Sequence, residues 1–89
     1  MEPGGVVRVP IEDSLDLHSF RPEDVPSVVA EYLEAVHGKF SEVRLIHGRG
    51  LGVQREIVRS LLSRRADVAS FRDAPEDRGG RGATIVTLI

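Results

Sequence analysis

Cysteine is absent from this 89-residue chain, which excludes a disulfide framework and a thiolate metal site and fits a reducing compartment. Aromatic rings are scarce: Phe20, Tyr32, Phe40 and Phe71 are the whole set. With Tyr32 and Phe71 expected in the core, no platform remains on which successive bases could stack. No run approaches the roughly 18 apolar residues that a membrane span needs. The opening MEPGGVVRV has neither a basic n-region nor an apolar h-region. These absences point to a cytoplasmic chain with no membrane partner.

What is present is the make-up of one ordinary domain, 40% hydrophobic and 29% charged, large enough for a single core and too small for two. The net charge of -2 hides a strong asymmetry. Residues 1–42 carry nine acids and three bases, residues 43–65 one acid and six arginines, and residues 66–89 four acids and three bases. Such a basic block is either one solvated helix face or a contact for an anionic backbone, to which arginine's planar fork is suited.

Local patterns divide the chain. Residues 1–13, with Pro3, Gly4, Gly5 and Pro10 around VVRV, read as an N-terminal arm, loose or adding an edge strand. In SLDLH, residues 14–18, Leu15 and Leu17 alternate with Asp16 and His18, as in a short strand. Val25, Val28, Val29, Tyr32, Leu33 and Val36 then follow helical spacing. Asp24 is a candidate cap and Gly38 a stop, and the start falls at Pro22 or Val25. EVRLIH (42–47) reads as a strand and VQREIVRSLLSRR (53–65) as a helix with Ile57, Val58, Leu61 and Leu62 inward and its arginines outward. DVASFRDA gives a third strand, PEDRGGRG a long turn and ATIVTLI a fourth strand. The order β-α-β-α-β-β predicts a two-layer α/β (α+β) sandwich over residues 14–89. Its four-stranded mixed sheet has both helices on one face, crossovers favouring parallel pairing and an antiparallel final pair.

Between the second strand and second helix stands HGRGLG. Glycines at a strand-to-helix turn let the backbone approach a ligand closely, and free N–H groups at the following helix start form an anion site. Gly48, Gly50 and Gly52 would build that turn, Arg49 and Arg55 would add charge, and His47 would stand beside the bound phosphate. The dinucleotide fingerprint fails because the third glycine comes one place early, and the Walker loop because no lysine-serine or lysine-threonine pair follows. A metal site from Asp16, His18 and His47 lacks tight spacing, and a turn glycine is also a plain steric convenience.

LDLH at 15–18, HGRG at 47–50 and GGRGATIVTL at 79–88 resemble, in order and spacing, the motifs of the small MutS-related domain, Smr. The resemblance runs from about Ser14 to Ile89, and the chain reads as a stand-alone member. It implies a fold similar to the C-terminal domain of bacterial translation initiation factor three. It also implies nucleic-acid binding and, in several members, endonuclease activity: nicking of DNA, branched forms especially, or cleavage of RNA on stalled ribosomes. Repair, recombination and quality control are all open as settings. The motif residues carry over onto Asp16 and His18, onto His47, Gly48, Arg49 and Gly50, and onto Gly79, Gly80 and Gly82. Two positions depart from the pattern: Ser19 stands where a glycine commonly follows LDLH, and Gln54 where a leucine commonly precedes the arginine.

Phosphodiester hydrolysis needs a base for water, an acid for the leaving oxygen and positive charge over the phosphate. The expected assignment gives the first two roles to His18 and His47 in either order, and charge stabilisation to Arg49, Arg55 and the turn N–H groups. Asp16 would orient an imidazole, or ligate Mg²⁺ or Mn²⁺ if a divalent cofactor takes part. Glu23 and Asp24 serve the helix start. Arg78 and Arg81, beside Gly80 and Gly82, are placed to reach a second phosphate, or form only a long hairpin turn. The expected partner is DNA or RNA, bound through backbone and shape by a monomer; gripping without cutting is the rival function.

Overall fold

The computed structural model describes residues 11–89; residues 1–10, and with them the edge strand considered for the N-terminal arm, lie outside the described residues. Strands β1 (Ser14–Asp16), β2 (Glu42–Ile46), β3 (Val68–Asp73) and β4 (Ala83–Leu88) form one sheet, and helices α1 (Val25–Val36) and α2 (Val53–Leu62) complete the expected order. Short 3₁₀ turns occupy Pro22–Asp24, Glu76–Arg78 and Gly80–Gly82.

The sheet order is β1-β2-β4-β3. β1 pairs with β2 in parallel, Asp16 beside Ile46. β4 runs antiparallel to both β2 and β3. The first crossover therefore makes the expected parallel pair, whereas the second places β3 in the same direction as β2 but one strand away, with β4 between them. Composition explains the insertion. Every β4 residue except Thr87 is buried, and a strand covered on both faces belongs in the middle of a sheet. β3 has an exposed or half-buried residue at every position and fits an edge.

One face of the sheet carries Leu17, Val43, Leu45, Val86 and Leu88, which pack against Val25, Val29, Leu33 and Val36 of α1 and Val58 and Leu62 of α2. Tyr32 and Phe71 lie partly buried against this core. Both candidate starts of α1 have a structural counterpart: Pro22 opens a 3₁₀ turn and α1 begins at Val25, with Pro26 in its first positions, where proline's missing N–H costs nothing. Asp24 does not cap through its side chain; its carboxylate accepts from Arg21 Nε at 3.2 Å instead. Gly38, at φ +80°, turns the chain out of α1.

The expectation that the arginines of α2 all face solvent is corrected in two places. Arg55 Nη2 donates to Asp73 Oδ1 at 2.7 Å and Arg59 Nη1 to the same oxygen at 3.5 Å. The Arg59 guanidinium also lies 5.0 Å from the Phe71 ring centroid. These contacts tie α2 to β3, the edge strand on the far side of the sheet from β1. No helix among the described residues is long and apolar enough to cross a membrane.

Candidate phosphate site

β1 and β2 run in parallel, so their C-terminal ends bring LDLH and HGRG to one rim of the sheet, where open α/β sheets hold ligands. A third segment closes on them. The backbone N–H groups of His47 and Gly48 both donate to the carbonyl of Gly82, each at 2.9 Å, so the loop before β4 is stitched to the end of β2. Glycine is favoured at that seam, most of all at Gly80, whose backbone is left-handed. A Cβ on Gly80, which sits at φ +53°, would lie 2.5 Å from Arg49 Nη2, and one on Gly82 would lie 3.2 Å from Arg49 Cγ. Gly80 and Gly82 thus serve as the floor beneath the Arg49 side chain.

Beyond this seam the chain is free. Among the described residues, the N–H groups from Arg49 through Arg55 have no backbone acceptor; the first to find one is Glu56, bonded to the Gly52 carbonyl at 3.0 Å. Gly52, at φ +83°, turns the chain directly into α2, whose start adds the positive end of its dipole. A cleft of about 470 Å³ opens here, lined by Arg49, Gly50, Leu51, Gly52, Arg55, Glu56 and Arg81. Arg81 is exposed and makes no ion pair with another described residue. Arg49 is exposed and held at 3.3 Å from Glu76. Arg55 is more confined: its carboxylate partner Asp73 takes one nitrogen, while its Nε is buried without a partner. The same arginine holds the Asp73 carboxyl below the usual carboxylate range.

His47 lies at the back of a smaller cleft of about 150 Å³ that adjoins the turn. It is only 6% exposed, and both ring nitrogens are engaged: Nδ1 with the Gly48 carbonyl at 3.1 Å and Nε2 with Thr84 Oγ1 at 2.9 Å. A carbonyl only accepts, so Nδ1 carries the hydrogen and Nε2 receives the threonine hydroxyl. Burial is the main cause that pushes the His47 pKa down, so the ring is held neutral.

The other histidine is disposed in the opposite manner. His18 Nδ1–H donates to Asp16 Oδ1 at 2.6 Å, and the same oxygen accepts the His18 backbone N–H at 3.0 Å. These bonds hold the Asp16 carboxyl below its ordinary range. Both side chains are largely exposed, and His18 Nε2 has no protein partner among the described residues. The turn carrying this pair is docked to α2 by Gln54, whose Nε2 donates to the Phe20 carbonyl at 2.9 Å.

The structure therefore gathers Arg49, Gly50, Gly52, Arg55 and Arg81 around one cleft, with His47 behind it and the Asp16–His18 pair on the neighbouring strand end. Gly48 belongs to the seam rather than the cleft, as its N–H is already bonded. Arg78 is elsewhere: its guanidinium stands 3.8 Å from Glu42 and its carbonyl accepts from Arg44. Thr84, Asp73 and Leu51 escaped the sequence reading. Thr84 carried a signal: with Thr87 it is one of two hydroxyls in an otherwise apolar strand. Among the described residues no three metal-ligating side chains converge; Mg²⁺ or Mn²⁺ would find one carboxylate at Asp16, to which water and phosphate oxygens must add the remaining ligands.

The model of the family described as Smr domain matches residues 15–89. The chain is 41% identical to the endonuclease MutS2 of Solidesulfovibrio magneticus over 75 residues, covering 83% of this chain and 10% of that protein. It is 38% identical to the endonuclease MutS2 of Helicobacter pylori, covering 97% of this chain and 12% of that protein. It thus spans about a tenth of these relatives' length. The crystal structure of the Smr domain of Thermus thermophilus MutS2 superposes with a TM-score of 0.83 at 35% identity, covering 88% of this chain and 99% of that one. YdaL, a stand-alone small MutS-related protein from Escherichia coli, gives 0.80 at 26% identity, with 85% and 63% covered.

Proposed function

Because the chain belongs to the Smr domain family, we propose that it binds the sugar-phosphate backbone of DNA or RNA in the cleft before α2 and hydrolyses a phosphodiester bond there. The observation that carries the reading is the run of N–H groups from Arg49 to Arg55 that have no backbone acceptor among the described residues, at a cleft lined by Arg49, Arg55 and Arg81. Such an array matches phosphate oxygens and is already organised before the ligand arrives.

Asp16 and His18 supply the base. With Nδ1–H committed to the carboxylate, His18 Nε2 presents its lone pair to water. As the water oxygen attacks phosphorus, its proton passes to Nε2, the phosphorus–oxygen bond to the leaving sugar breaks, and the departing oxygen takes a proton from solvent. Asp16 stabilises the resulting imidazolium, and the amides with Arg49 take up the charge that builds on the phosphoryl oxygens. His47 acts as a positioning residue: neutral and bonded to Thr84 and Gly48, it holds the base of the turn. Asp16 is the residue that would hold Mg²⁺ or Mn²⁺ if a divalent ion takes part, and the ion would supply Lewis acidity.

A second reading, gripping without cutting, is favoured by the full engagement of both His47 nitrogens, which leaves His18 as the one free imidazole at this rim. The test is incubation of the purified chain with supercoiled plasmid and with a structured RNA, with and without Mg²⁺ or Mn²⁺. Asp16→Asn, His18→Ala and Arg49→Ala proteins of matched folding run alongside. Cleavage lost in all three supports the nuclease. Salt-sensitive binding that only Arg49→Ala weakens, with no cleavage by any protein, replaces it with the gripping module.

A further inference from the structure

The phosphate cleft has an apolar lip. Leu51, in the loop between Gly50 and Gly52, is 99% exposed, Val53 in the first turn of α2 is 53% exposed, and Phe20 is 38% exposed. Phe20 belongs to the same rim because its carbonyl is bonded by Gln54. An isolated surface leucine is ordinary. A leucine with its whole side chain in water, inside a loop that lines a cleft with three arginines, is not.

From this juxtaposition we infer that Leu51, backed by Val53, is a wedge that enters the nucleic acid at the base step next to the phosphate held in the cleft. The inference rests on the phosphate reading given above. Charge decides the occupant: Leu51 lines the same cleft as Arg49, Arg55 and Arg81, against the single acid Glu56, so whatever covers the leucine also meets a net positive surface and must bring negative charge to it. A nucleic acid does so at every step, since each phosphate has a base beside it. Apolar side chains that enter a base step unstack it, and the cost is least where stacking is already broken. Leu51 therefore makes the domain prefer an interrupted helix to a continuous one, while the backbone contacts themselves carry no such preference. The few aromatic rings do not weaken the case, because a wedge separates bases and does not stack on them.

The experiment compares a continuous duplex with the same duplex interrupted by a short unpaired bulge, as DNA and as RNA, each carrying 2-aminopurine beside the interruption. The parent chain is expected to bind the bulged form roughly tenfold more tightly, the scale set by covering one leucine side chain. It should also raise 2-aminopurine fluorescence as the base unstacks. Leu51→Ser should bring the two affinities together and abolish the fluorescence rise with the salt dependence unchanged, and Leu51→Met should retain both. Equal behaviour of Leu51→Ser and parent overturns the wedge and leaves the phosphate reading standing, provided that Arg49→Ala still weakens both forms. A parent that binds neither form overturns both readings. A parent that is dimeric by sedimentation and becomes monomeric as Leu51→Ser places a second copy on the lip and overturns the wedge.

Discussion

At the scale of single residues, the two histidines divide the work that their sequence context could not apportion. His18 is exposed, oriented by a carboxylate and open at Nε2; His47 is buried, neutral and open at neither nitrogen. Removing a base should cost about 10²- to 10⁴-fold in rate, so His18→Ala should lower nicking by at least the smaller factor while leaving the denaturation midpoint in urea unchanged. His47→Ala should behave differently. It leaves the buried Thr84 hydroxyl without its acceptor, a loss of about 1–3 kcal/mol measurable as a lower urea midpoint. The pH dependence follows from the lowered pKa. The unfolded chain, with an ordinary imidazole near 6.5, takes up a proton before the folded one does. The stability that neutral His47 contributes is thus complete above about pH 6.5 and falls as pH drops through and below that value. Urea midpoints between about pH 7 and pH 5 should therefore decline in the parent and decline less in His47→Ala. The sequence showed both histidines at strand ends, which placed them at the rim. It did not show their burial, because that depends on Thr84, which lies 37 positions away and meets His47 only across the sheet.

At the scale of elements, the helices were more legible than the strand order. Spacing in α1 named the residues that are buried, and only the capping role of Asp24 failed, since Arg21 competes for its carboxylate. Alternation and length located all four strands. The second crossover was not legible, because a crossover fixes direction and leaves room for a later strand to insert; the clue was the largely apolar run ATIVTL, buried everywhere but Thr87. The facing of the α2 arginines was missed for a related reason, as Asp73 belongs to β3 and its meeting with Arg55 is tertiary. Loop pairing carries a prediction of its own. Glu76 holds Arg49 at 3.3 Å on an exposed surface, so a phosphate must displace it. Glu76→Gln should raise affinity for a labelled oligonucleotide severalfold with little change in stability, since exposed pairs contribute little. An unchanged or weaker affinity would mean that Arg49 does not meet the ligand.

At the scale of the whole molecule, an overall charge of -2 coexists with a basic rim. Non-specific attraction should therefore be weak away from the cleft, and binding should have a small, well-defined ionic footprint. With Arg49, Arg55 and Arg81 as the contacting cations, the logarithm of affinity should fall against the logarithm of salt with a slope of about -2 to -3. Arg81→Ala should reduce that slope by about one, which a titration at several salt concentrations would read. The sheet order has a kinetic meaning as well. The strand that occupies the centre, β4, is formed from residues 83–88 and is the last strand in the chain. On the ribosome, β2 and β3 must wait with open hydrogen-bonding edges until those residues have left the exit tunnel, so the domain should acquire its structure in a single late step and not progressively from its amino terminus.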